Sequence, residues 1–360
     1  MIGIKIGKVI EILKKRENIT EIMVEIKEKK YKAINYNKLT GSIQIEDQVL
    51  LNTTAVDLNL GTGGYHFVIS NLNIPEKDIT NNGHIMKLRY SPYQIKTFAA
   101  EEQTSKYHEV FNDFKSLDKM PVIIGSLHSM LVPITAVLKT CLEEVKIAYI
   151  MTDGAALPID LSNVVYNLKN KKIISNTITI GNSFGGDLEC VNIYNGLIAA
   201  KEVLKADIAV ITMGPGIVGT GTKYGFSGIE QGYMIDAVND LGGTAIAVPR
   251  ISFADSRNRH KGMSHHSLTV LNQISKTSAF IPIPKFENEK YDYIKSQIEN
   301  TNIGKKHNIM YLDYVKVINI LENTELNMST MGRKFDKDKE YFITAGIAGQ
   351  LGAKILSDHQ

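Results

Sequence analysis

The sequence predicts an α/β fold: a mostly parallel, Rossmann-like sheet with helices on both faces, preceded by a small β-barrel-like domain. Three observations predict it. The first hundred or so residues keep a two-residue rhythm of apolar and polar positions, broken by polar or Gly-containing turns. That is the pattern of half-buried strands. After Pro121 the rhythm gives way to short, continuous apolar runs, which suit strands covered on both faces. Longer helix-like stretches separate those runs, and strand alternating with helix builds a parallel sheet.

In chain order, IKIGKVIEIL, TEIMVEIKE, YKAINY, DQVLLN and YHFVIS read as five strands. Several short strands at close spacing suit a small, partly closed barrel, assigned to residues 1–95. Two loops stand out there, NTTAVDLNLGTGGYH (52–66) and NNGHIMKLRYSPYQ (81–94). Residues 96–120 are polar and charged and read as a linker plus a helix. The α/β domain is assigned to 121–360. Its strands are PVIIG (121–125), KIAYIM (146–151), TITIG (177–181), DIAVITM (207–213), TAIAVP (244–249) and AFIPIP (279–284). LVPITAVLKTCLEE, LSNVVYNLKN, NIYNGLIAAKEVLK, IEQGYMIDAVND and HSLTVLNQIS are the helices between them. HNIMYLDYVKVINILEN and a small-residued helix near FITAGIAGQLGAKIL extend the sheet, and that helix packs either internally or against a partner subunit.

Composition narrows the function classes. With 41 basic and 38 acidic residues the formal charge is +3, so no global field points to nucleic acid or a membrane surface. No apolar run approaches the roughly 18 residues of a membrane span. Cys141 and Cys190 lack a C-x-x-C spacing and read as thiols of a reducing compartment. The N-terminal stretch lacks the apolar core of a signal peptide. Cytoplasm is the expected location.

Ligands of open α/β sheets bind outside the carboxyl ends of the strands, so the residues that follow each run are the candidates. SLHS with His128 follows the first run, TDGAALP with Asp153 the second, and NSFGGDLE with Asp187 and Glu189 the third. The fourth is followed by GPGIVGTGTKYGFSG, and the fifth by RISFADSRNRHKGMSHHS. Gly214, Gly216 and Gly219 satisfy G-x-G-x-x-G after a strand. A dinucleotide site also needs an immediate helix and an acidic end to the next strand; here that strand ends at Arg250, which disfavours NAD. A P-loop fails as well, because Thr222 stands directly after Gly221 and Lys223 comes one place late. What remains is an expected anion-binding loop of Gly214, Gly216, Gly219, Thr220, Gly221, Thr222 and Lys223, whose backbone N–H groups face a ligand. A sharp structural turn is the competing reading. Ser227 and Glu230 have the spacing of a capping box for the helix that follows.

Arg250 and Arg257 carry guanidinium forks suited to phosphate or carboxylate. Arg259 and Lys261 fit a solvated basic loop with Asp255 as counter-ion better. Ser264 is a plausible N-cap, which places His265 and His266 in a first helical turn, where the helix dipole disfavours imidazolium. Neutral imidazoles accept protons or bind metals. His128, Asp153, Asp187, His265 and His266 are therefore the catalytic candidates, and a divalent metal shared by His128, Asp153 and these histidines is open. The plainer alternatives are a turn role for Asp153, since Asp-Gly is a common turn pair, and helix-terminal roles for Asp187 and Glu189.

GSLHSML, MTDGAALP, FGGDLE, GPGIVGTGTKYGFSG and SFADSRNRHKGMSHH, with NTTAVDLNLGTGGYHFV and GHIMKLRYSPYQ, resemble the uncharacterised bacterial domain-of-unknown-function family 3866. The resemblance covers nearly the whole chain. It implies a bacterial cytosolic protein and supplies no activity, cofactor or catalytic residue. The chemistry of the strand ends therefore carries the functional expectation. It is an enzyme acting on a small anionic substrate, phosphorylated or nucleotide-like, by hydrolysis or group transfer. The alternative is a ligand-sensing module whose barrel binds RNA or a protein. Homo-oligomerisation is open.

Overall fold

Alternation in the first region and continuous burial in the second produce two separate cores in the computed structural model. The structure describes residues 1–358 apart from 62, 75, 79–81 and 288. Thr62 of the first noted loop and Asn81 of the second lie outside the described residues. Contacts divide the chain into one unit of Met1–Asn82 with Leu88–Ile95 and another of Gly83–Lys87 with Lys96–Gln360.

The first unit is a closed barrel of β1 (Ile4–Lys15), β2 (Ile19–Ile26), β3 (Lys29–Tyr36), β4 (Gln48–Asn52) and β5 (Tyr65–Asn71), in the order β1-β2-β3-β5-β4. β3 and β5 run parallel, and β4 closes on β1 antiparallel. This is the connectivity of a five-stranded Greek-key barrel. Val9, Ile22, Val24, Ala33, Val49, Leu51 and Val68 fill its interior, each on the inward side of an alternating strand. The β2–β3 turn places Lys27 and Glu28 at φ 48° and 65°. Two left-handed residues match the twist of a tight hairpin.

The second unit is built on an eight-stranded sheet: β6 (Pro121–Gly125), β7 (Ile147–Thr152), β8 (Asn176–Thr179), β9 (Leu188–Glu189), β10 (Ile208–Met213), β11 (Thr244–Val248), β12 (Phe280–Pro284) and β13 (Asn308–Leu312). Their order is β9-β8-β7-β10-β6-β11-β12-β13, and every pairing is parallel. β6, β7 and β10 are buried at every position, which is why their sequences are uninterrupted apolar runs. The helices Leu131–Cys141, Val315–Asn323 and Lys339–Asp358 pack together on one face of the sheet. Glu230–Asp240, with Ile193–Ile198 beside it, covers the other face.

The C-terminal helix packs internally. A Cβ at Gly349 would stand 2.4 Å from the carbonyl oxygen of Ile134, so only glycine lets the two helix backbones approach this closely. The chain starts at β6, runs outward to β9, returns to β10 between β7 and β6, and then proceeds outward through β11. The direction of winding reverses around β6, and such reversals open a crevice at the carboxyl edge.

Candidate functional site

A cavity of about 170 Å³ lies at that reversal. Leu127 from the loop after β6, Ile217, Val218, Gly219 and Gly221 from the loop after β10 and Arg250, Arg257, Arg259, His260 and His266 from the segment after β11 supply most of its wall. Met331 contributes from a small ribbon near the C-terminal helix.

The segment after β11 is a closed excursion. Ile251–Ser252 pairs antiparallel with Gly262–Met263, and the Ser264 N–H returns to the carbonyl of Arg250 at 2.8 Å. Asp255 holds the outbound arm: its carboxylate accepts from Arg250 (2.8 Å) and from Arg257 Nε and Nη2 (2.9 and 2.8 Å). The Arg257 fork, opposing burial, and Arg250 hold the Asp255 carboxyl far below the usual carboxylate range. Gln297 clamps the inbound arm through Met263 N–H and the carbonyls of Lys261 and Met263. The excursion brings His260 back onto the helix that starts at His265.

Three imidazoles therefore meet. The ring centroids of His260, His265 and His266 are 5.0, 5.2 and 4.1 Å apart, and one nitrogen from each lies within 4.8 Å of the others. Ser264 is the N-cap, accepting from His266 N–H, and its Oγ is 2.8 Å from His260 Nδ1. Phe226 stacks on His266 at 3.9 Å and 10°. His265 Nε2 is buried without a partner among the described residues. Burial, then Arg250 and Arg257, push His260 down to about 4. Burial, then its two histidine neighbours, push His266 down to about 3. Burial and then Arg259 lower His265. All three are neutral at pH 7; the helix-terminal setting predicts this for His265 and His266, but burial, followed by neighbouring arginines and imidazoles, is the cause.

The other candidates do not join this group. His128 is buried behind the cavity wall: its Nδ1 is 3.2 Å from the carbonyl of Met213, and its Nε2 is 2.7 Å from Ser162 Oγ. Burial pushes it down to about 4. Asp153 accepts from the Asn182 N–H at 2.9 Å and so ties the loop after β7 to the loop after β8. Asp187 accepts from Thr177 N–H and Oγ1 (2.8 and 2.9 Å) and pairs with Lys169 on the outer strands. Among the described residues, the imidazole trio is the group of His, Cys, Asp and Glu set for a shared ion, so the expected convergence of His128, Asp153 and Asp187 on His265 and His266 does not occur.

The glycine loop divides into floor and tip. Gly219 and Gly221 line the cavity, and Gly221 requires its φ of 79°. Gly214 is a packing glycine, since a Cβ there would lie 2.2 Å from the carbonyl oxygen of Ala156. Gly216 takes a φ of 107° but stands outside the wall. The hydroxyls of Thr220 and Thr222 bond each other at 2.9 Å and tie down Gly225. Lys223 lies over the Tyr224 ring. Thr220, Thr222 and Lys223 thus serve the tip. The expected capping box is absent: Ser227 Oγ accepts from Val218 N–H, while Glu230 takes the Thr152 hydroxyl at 2.5 Å. Burial raises Glu230 to about 7.

Two wall residues escaped the sequence reading. Arg259 reads as a solvated cation and is indeed exposed, but it also lines the cavity and makes no hydrogen bond or ion pair among the described residues. His260 reads as one more polar residue of a basic loop. The available signal was the H-x₄-H-H spacing, with Asp255 placed to fold the loop back.

No curated protein matches the chain, and no solved structure matches it either. A family model described as "Protein of unknown function (DUF3866)" matches residues 32–349 of the 360. The chain belongs to this family of unknown function, DUF3866.

Proposed function

We propose that this protein is an enzyme that binds a small anionic substrate, phosphorylated or nucleotide-like, at the winding reversal and acts on it by hydrolysis or group transfer. The observation that carries the reading is the meeting of Arg250, Arg257 and Arg259 with neutral imidazoles on one cavity. Asp255 offsets one of these charges, so the wall keeps an excess of two positive charges. Guanidinium forks match phosphate and carboxylate oxygens. The cavity is smaller than the roughly 300–1,000 Å³ of drug-sized ligand sites, so it suits the charged head of a substrate and leaves the remainder outside.

A neutral imidazole at the wall accepts the proton of a water or hydroxyl as its oxygen attacks the phosphoryl or acyl centre, and returns it to the leaving group. Arginines hold the charge that develops. The test is thermal unfolding with inorganic phosphate and AMP, followed by product assays on the stabilising compound. Stabilisation in the parent, with phosphate affinity lowered about tenfold or more in Arg259→Ala, supports the reading. No stabilisation by either compound overturns it. Stabilisation without turnover of any phosphate ester replaces the enzyme with a sensor of the same anion.

A second reading concerns the barrel alone. Lys27, Lys29, Lys30 and Lys32 are exposed around the β2–β3 hairpin, beside Tyr31 and Tyr65, an arrangement that suits single-stranded nucleic acid. Glu21 takes the Tyr65 hydroxyl, and Glu25 and Glu28 dilute the charge, so this reading ranks below the first.

A further inference from the structure

We propose that His260, His265 and His266 form a three-imidazole centre for one borderline divalent transition-metal ion, such as zinc, with its open coordination position toward the arginine-lined cavity. The proposal deepens the anionic-substrate reading, and rests on it for the ligand of that open position.

The donor set argues for the class of ion. All three groups are imidazoles, which suit zinc, copper, nickel and iron. Magnesium and calcium require oxygen ligands, and the nearby carboxylate, Asp255, is held by two arginines. Three imidazoles and one free position make the composition of a catalytic rather than a structural zinc site.

The geometry is close to complete. Nitrogens at about 2.0–2.1 Å from one tetrahedral ion stand about 3.3 Å apart. The three candidate nitrogens already lie within 4.8 Å of one another. No pair must close by more than about 1.5 Å, which rotation of the rings supplies. Support around the ligands is in place. Ser264 Oγ faces His260 Nδ1; with the proton on Nδ1, the Nε2 lone pair is left for the ion. Phe226 fixes the plane of His266.

An orphaned atom points the same way. His265 Nε2 is buried with no partner among the described residues. A buried polar atom left unmatched is costly, and a metal ion bound there satisfies its lone pair.

The arginines make a further demand. A divalent ion added beside Arg250, Arg257 and Arg259 raises an already positive wall. The ion and an anion must therefore strengthen each other's binding, by equal factors. That coupling separates this site from a surface histidine cluster that merely collects metal.

The experiment uses the full chain, purified without a metal-affinity tag and stripped of metal. Co²⁺ is titrated with and without inorganic phosphate and followed by its visible absorption, while phosphate binding to metal-free protein is measured separately by calorimetry. The expected result is one equivalent of Co²⁺ with tetrahedral bands, an affinity at least about a hundredfold lower in His265→Ala, and a gain of about tenfold with phosphate in the parent. His260→Ala, altered on a different loop, repeats the loss, and melting curves of both variants show that they are folded. No stoichiometric Co²⁺ binding, or binding that survives both substitutions, overturns the centre. If metal-free protein still binds phosphate in that case, the anionic-substrate reading stands without the metal. If Co²⁺ binds but phosphate neither binds alone nor changes its affinity, the centre stands and the anionic-substrate reading falls.

Discussion

His128 and the trio of His260, His265 and His266 lie in the segments that follow the neighbouring strands β6 and β11, and burial leaves all four imidazoles neutral at pH 7. Their hydrogen-bond accounts are opposite. The carbonyl of Met213 can only accept, so His128 Nδ1 carries the proton. His128 Nε2 then accepts from the Ser162 hydroxyl, and Ser162 Oγ in turn accepts from Val165 N–H. Every polar atom of that network is used. In the trio, His265 Nε2 has no partner among the described residues, and His260 and His266 face a cavity. A depressed pKa therefore does not distinguish a working histidine from a structural one here. Unused hydrogen-bonding capacity beside a cavity does.

His307 reinforces the lesson. It too is buried, with its pKa lowered chiefly by burial. Its Nδ1 accepts from Ala279 N–H at 3.1 Å, and its Nε2 donates to the carbonyl of Leu271 at 2.8 Å. Like His128, it is a fully matched strut between elements.

The largest effect that would break the comparison is on stability. His128→Ala removes one of the two donors to the Met213 carbonyl, which keeps the Thr212 hydroxyl, leaves the Ser162 hydroxyl without its acceptor and opens a cavity beside the buried Tyr149. A loss of about 3 kcal/mol is expected in urea denaturation, with phosphate affinity unchanged in the folded variant. His260→Ala is expected to cost less stability than His128→Ala, about 1–2 kcal/mol for its single buried hydrogen bond to Ser264, while weakening Co²⁺ binding. A His128→Ala variant that keeps its stability but loses phosphate binding would move the working site to β6.

A smaller effect follows from protons. The folded pKa of His128, about 4, lies below the usual 6.5. The folded state therefore binds fewer protons, and the stabilisation is fully present above pH 6.5 and is lost as pH falls toward 4. Between pH 7 and pH 4.5 this amounts to about 2 kcal/mol. Paired carboxylates such as Asp255 lose stability only at lower pH, because their folded pKa values are depressed below the ordinary range. Urea midpoints at the two pH values, compared between the parent and His128→Gln, isolate the imidazole. An identical pH slope in the two proteins would mean that His128 is protonated, or hydrated, in the folded state.

Much of this architecture is legible in the residues, for a physical reason. Strands such as PVIIG and IAVITM are covered on both sides and so are almost wholly apolar, while the barrel strands alternate because one side is wet. The carboxyl-edge location of the cavity follows from topology and is equally legible. The individual residues of the site are less so. His128 and His265 look alike as sequence, and only the positions of Ser162, Met213 and the Ile251–Met263 ribbon separate them. Arg259 and His260 become wall residues because Asp255 turns the loop back, a long-range consequence that no local period encodes. Glu230 has capping-box spacing, but Thr152, from a strand far off in sequence, takes its carboxylate. The Lys27–Glu28 turn lacks the Asn-Gly or Gly signature of left-handed hairpin turns, although the backbone adopts that conformation.

The smallest effect sharpens the distinction inside the glycine loop. G-x-G-x-x-G loops hold anions through backbone N–H groups, and the threonines beside these glycines invite the same role. In the structure, the Thr222 hydroxyl instead meets Thr220 Oγ1 and Gly225 N–H, so it fixes the hairpin tip above the floor formed by Gly219 and Gly221. Thr222→Ala should therefore cost about 0.5–1 kcal/mol or less in stability, the worth of an exposed hydrogen bond, and leave phosphate affinity within about twofold, since no bond to the anion is removed. Isothermal titration of phosphate into the two proteins decides the point. A tenfold loss in Thr222→Ala would mean that the tip folds down over the anion, and the loop would then belong to the site as a whole rather than through its two floor glycines.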